Sequence, residues 1–114
     1  MLRGLIFYEN CCTSMPIGCL SSHRPVLVMT ERPVCGNMVT VIPLKLEVPW
    51  DDNEITHVEI ETRCGHSVAI VEQMRSVPIG ALSHSPKDRI DDESMDKVER
   101  AMLTHLGIEW EEEE

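Results

Sequence analysis

"HRPVLVMT" (residues 23–30) is the run on which the fold of this 114-residue chain turns. Val26, Leu27, Val28 and Met29 form a continuous apolar stretch of strand length, the pattern of a buried strand. It is entered through a histidine, an arginine and a proline. Proline has no backbone N–H and leaves one rung of a β ladder unmade, so it is tolerated at the first residue of a strand or on an edge. Pro25 is therefore expected to be the first residue of this strand. That places Arg24, a permanent cation with a planar fork of donors, at the strand's mouth.

Comparable runs lie on either side. "RGLIFYE" (3–9), "MVTVIPLKLE" (38–47), "THVEIET" (56–62) and "SVAIVEQMRS" (67–76) read as further strands bounded by Gly, Pro and Asn. Between the first two strands lies "NCCTSMPIGCLSSH" (10–23), a loop long enough to suggest function. In "ERPVCGN" (31–37), Gly36 and Asn37 are suited to positive φ in a turn. No crossover helix separates the strands, so pairing is expected to be antiparallel. The fold class is mainly β (α+β), a small barrel or strongly bent sheet.

One helix is expected, over "DDESMDKVERAMLTHLG" (91–107). Asp91 or Asp92 can cap it, early acids suit its dipole and Gly107 suits its C-terminal cap. Met95, Val98, Met102 and Leu106 recur at helical spacing, and core packing accounts for them better than ligand binding.

The totals bound the function. A chain of this length makes one domain and buries roughly two-thirds of the surface that its unfolded form exposes. The net charge of −10 argues against phosphate binding in general. However, five of the twenty acids, Glu109 and Glu111 to Glu114, sit in the terminal "EWEEEE", the composition of a solvated tail. The division is thus a domain over 1–108 and an acidic tail over 109–114, and the body retains room for a local basic patch. Five cysteines with no CxxC pair give neither a disulfide framework nor a zinc ribbon, as in a reduced, cytosolic protein. The opening residues do not have the basic, apolar, small-residue pattern of a signal segment and no apolar run reaches the ~18 residues of a membrane span, so a soluble, internal protein is expected.

Few residues remain to carry chemistry. His23, His57, His66, His84 and His105 are scattered without metal-site spacing and read as surface residues. There is no GxSxG and no Gly-rich phosphate loop. Arg24 can grip a phosphate and His23 beside it titrates near neutrality, although a structural ion pair is the commoner fate of such an arginine.

Taken in order, "RGLIFY", "HRPVLVMT", "VTVIPL", "THVEIE", "SVAIVEQMRSV" and "IDDESMDKVERAMLTHLGI" resemble the MazF/PemK toxins of type II toxin–antitoxin systems, over residues 3–108. The resemblance implies an SH3-like β-barrel with a C-terminal helix, working as a cytoplasmic homodimer with a cognate antitoxin, with which it binds DNA. It also implies cofactor-free and metal-independent cleavage of single-stranded mRNA to a 2′,3′-cyclic phosphate and a 5′-hydroxyl.

Arg24 matches the family's catalytic arginine. The hydroxyl residue expected after Pro43-Leu44 is Lys45 here, which would act as a charge stabiliser, with His23 as proton carrier. Glu72, Gln73 and Arg75 match positions near the substrate channel and would contact RNA; their alternative is polar pairing at a strand end. The Glu-Gln of the family's groove loop is missing from "GCLSSH" (18–23). A second reading is therefore a catalytically impaired member that binds antitoxin or RNA without cleaving. A third, a relative acting on a protein target, finds no matching terminus in "LGIEWEEEE".

Overall fold

The computed structural model describes residues 2–10, 23–46, 56–62 and 65–109. The strands are β1 (Leu5–Asn10), β2 (His23–Val28), β3 (Met38–Leu46), β4 (His57–Thr62), β5 (Gly65–Ile70), β6 (Arg75–Pro78) and β7 (Asp88–Arg89), followed by the helix α1 (Asp92–Leu106). They pair antiparallel in the order β4-β5-β3-β2-β1-β7, with β6 also on β3. The result is a bent half-barrel with one C-terminal helix, the fold class the sequence predicts. Residues 11–22, the bulk of the expected loop, and 110–114 of the acidic tail lie outside the described residues.

Side chains along β1, β2 and β3 alternate between two cores. Ile6, Leu27, Met29, Ile42 and Leu44 face one, which α1 closes with Met95, Val98 and Ala101. Phe7, Val26, Val28, Val39 and Val41 face the other, covered by Val77 together with Leu2, Leu5 and Leu82. With apolar contacts on both sides, the second strand has no solvent face to present. Its run of four apolar residues is therefore continuous rather than alternating.

Pro25 is the third residue of β2, not the first. It lies opposite Tyr8 of β1, while the ladder to β3 begins only at Val26, which faces Pro43. The missing donor is accommodated where β2 still has an open edge. Pro43 marks a second change: β3 pairs with β2 through Val41, Ile42 and Pro43, and with β5 from Leu44 onward. Strands that pass from one sheet segment to another form the corners of such folds, and two prolines stand at this corner.

The run expected as one strand over 67–76 is broken. β5 ends at Ile70, a 3₁₀ turn spans Val71–Gln73, and β6 starts at Arg75. Both strands pair with β3: Leu44 faces Ala69, yet Val41, three residues back, faces Arg75, six residues on. The turn thus adds three residues to that side of the ladder, as a large bulge does. Val71 is fully buried and anchors it, leaving Glu72 and Gln73 outward.

The helix follows its expected signals. Asp91 caps it by accepting from the Ser94 amide at 2.8 Å, and hydrogen bonds from the Ser94 side chain and amide hold the Asp91 carboxyl below its usual value. Gly107 ends it at φ 75°, donating its amide to Thr104. Leu106 departs from the expected apolar face: α1 packs on β4 and the 3₁₀ turn, and from Thr104 onward every described residue is exposed. In the turn before β3, Gly36 and Asn37 take the expected positive φ, as does Cys35.

Candidate functional site

Where β2 and β3 diverge, the unpaired rungs leave an open groove of about 540 Å³. Arg24 and Pro25 form one bank. Pro43, Leu44 and Lys45 form the corner, and His57, Ile70, Glu72 and Gln73 lie beyond it. A second hollow of about 320 Å³ shares Arg24, Pro43 and Gln73 and extends to Glu9, Val26 and Arg75. Arg24 therefore belongs to both parts of one trough.

The Arg24 side chain is exposed, and no carboxylate pairs with it among the described residues. The structural ion pair weighed from the sequence is absent from that set. Lys45 is exposed at the corner. Of the expected residues, Arg24, Lys45, Glu72 and Gln73 meet in the groove and Arg75 in the adjoining hollow. His23 opens β2 opposite Asn10, and its side chain lies outside the described residues.

Arg75 is not a bare cation: it forms an ion pair with Glu9, which is only 8% exposed. This is the strand-end polar pairing considered from the sequence. Arg75→Ala removes the partner of a nearly buried carboxylate and is expected to lower stability by roughly 1–3 kcal/mol. Arg75→Lys should recover part of the loss. A thermal or urea midpoint unchanged in the alanine variant would contradict this bracing role.

His57 is the groove residue that the sequence did not reveal. Its spacing reads as that of a surface histidine, yet its side chain is 15% exposed and it bonds Glu72, fifteen positions away. Both oxygens of Glu72 are engaged: Thr56 Oγ1 donates to Oε1 at 2.7 Å, and His57 Nε2 lies 2.9 Å from Oε2. Burial pushes the Glu72 carboxyl up, but the bonds from His57 and Thr56 outweigh it and hold the group below its ordinary value. The pair's contribution to stability is therefore present above the ordinary carboxyl range and is lost as pH falls through the lowered value.

A half-barrel bent at a proline corner, one C-terminal helix and a groove with two basic residues define a small barrel class. The chain belongs to the PemK-like, MazF-like toxins of type II toxin–antitoxin systems, whose family model matches residues 3–106. Similar solved structures include the Mycobacterium tuberculosis toxin MazF-mt6, at TM-score 0.71 and 19% identity, covering 93% of this chain and 99% of that one. Another is a mycobacterial endoribonuclease in complex with its cognate antitoxin, at TM-score 0.69 and 17% identity, covering 97% of each chain. The MazE–MazF complex from Deinococcus radiodurans aligns at TM-score 0.68 and 15% identity, over 94% of this chain and 95% of that one. At these identities the likeness is one of fold. No curated protein sequence matches the chain.

Proposed function

We propose that this chain is the toxin of a type II module and a metal-independent, sequence-specific endoribonuclease. It cuts single-stranded mRNA to a 2′,3′-cyclic phosphate and a 5′-hydroxyl. The observation that carries this is Arg24: exposed, without a carboxylate partner among the described residues, and set in a groove with Lys45.

The reaction needs a deprotonated 2′-hydroxyl, stabilised charge on phosphorus and a protonated 5′-oxygen. Arg24 offers its fork to the phosphate oxygens. Lys45, standing where the family has a hydroxyl, adds a point charge to the phosphorane-like transition state. His23 supplies the proton to the leaving oxygen. Glu72 and Gln73 line the path of the RNA, and Arg75 borders it while bracing Glu9. The cytoplasmic protein works as a homodimer, and a cognate antitoxin restrains it and binds DNA with it.

Purified protein in EDTA is expected to cut an end-labelled single-stranded RNA panel, and a 2′-deoxy nucleotide at the cut should abolish cutting there. No cutting across the panel would overturn the nuclease reading. It would favour the second one, to which the ammonium of Lys45 in place of a hydroxyl points: a member that binds antitoxin or RNA without cleaving, harmless when overproduced.

A further inference from the structure

We propose that the gap between the two ends of the half-barrel binds one ordered water molecule, held by Ser67 on one side and Asp88 on the other. The proposal does not depend on whether the chain cuts RNA. It begins with a buried hydroxyl. Along β4, Val58 and Ile60 point inward and Glu59 and Glu61 outward. Ser67 of β5 lies opposite Ile60 and is only 1% exposed, so its hydroxyl stands at an inward position that the pattern reserves for apolar side chains. Among the described residues it is the one buried side-chain oxygen or nitrogen with no hydrogen-bond partner in the protein. Buried polar atoms are bonded in the great majority of cases, to protein or to ordered water. With no protein partner, this hydroxyl calls for a small polar ligand.

The surroundings set the size of that ligand. Ser67 lines a partly enclosed niche together with Thr62 of β4, Ile6 of β1, Pro25 of β2, Leu44 of β3 and Asp88 of β7. β4 and β7 are the two ends of the strand order, so the niche lies where the bent sheet closes on itself without pairing. Its free space is about 10 Å³, close to the least that admits one water, and a phosphate or a nucleobase is far too large for it. A buried water needs roughly two to four polar partners. Ser67, Thr62 and Asp88 provide them between the apolar walls of Ile6, Pro25 and Leu44.

The chemistry of the partners gives each bond its direction. An ionised carboxylate only accepts, whereas a hydroxyl donates and accepts. The water therefore donates to Asp88 and accepts the proton of the Ser67 hydroxyl. Asp88 keeps its other bonds, that from the Arg89 amide at 2.8 Å among them, because a carboxylate has about four lone-pair sites. Pro25 and Leu44 line both this niche and the groove. The water is thus a strut behind the corner on which Arg24 and Lys45 stand, and it takes the place of a ladder that β5 and β7 do not form.

The first test is a high-resolution crystal structure of the full chain. It should show a single ordered water about 2.5–3.0 Å from both Ser67 Oγ and an Asp88 carboxylate oxygen. The second is a cycle of thermal denaturation measurements. Ser67→Ala should lower the midpoint by about 4 °C, the loss of one hydrogen bond in a chain of this length. Asp88→Ala should lower it as well, and the double variant should lose clearly less than the sum of the two, because the shared water can be lost only once. A Ser67→Ala variant as stable as wild type or more so would reveal a hydroxyl bonded to nothing and would overturn the proposal. So would strictly additive losses, or a niche without water in the wild-type map. That map decides the matter even where a variant fails to fold, and RNA cleavage enters none of these readouts.

Discussion

Arg24→Ala is expected to lower single-turnover RNA cleavage at least about a hundred-fold, since removal of one well-placed transition-state donor has that effect. The loss should leave the fold almost untouched. The side chain is exposed and carries no ion pair among the described residues, so truncating it opens no cavity and strands no buried charge. Arg24→Lys should keep part of the affinity for RNA and regain little of the rate, because an ammonium cannot present the planar fork. Cleavage and thermal denaturation measured on the same preparations separate the possibilities. An alanine variant that cuts at the wild-type rate would remove Arg24 from the mechanism, and one that unfolds would make it structural.

Leu27→Ala is expected to be the most damaging simple truncation in the sheet. Leu27 is completely buried, faces Ile6 on β1 and Ile42 on β3, and belongs to the core that α1 closes. Leucine-to-alanine changes at such sites cost about 3–5 kcal/mol through lost burial and the cavity left behind. For a chain of this length that is a fall of roughly 12–20 °C in the thermal midpoint. A fall equivalent to less than about 1 kcal/mol would mean that the neighbouring side chains collapse into the space and that this core is loosely packed.

The sequence shows the fold through periodicity and punctuation. Apolar runs bounded by Gly, Pro and Asn marked four strands near their observed places, and Asp91 and Gly107 marked the helix ends. Periodicity could not show the break inside 67–76. Val71 is apolar and Glu72 and Gln73 are acceptable at a strand end, so nothing local announces a turn. Its cause is non-local, in the changing pairing of β3. The site was legible only in part for the same reason. Arg24 stands out beside its proline, but His57 acquires meaning only when β4 brings it to Glu72, and no spacing rule joins two residues fifteen positions apart across a hairpin.

The three residues inserted opposite the corner of β3 belong to no ladder. Val71 alone is committed to the interior, while Glu72 and Gln73 make no rung whose loss would loosen the sheet. Gln73 can therefore be replaced without breaking a rung of the sheet beneath it, whereas Glu72 stays tied to Thr56 and His57 through its side chain.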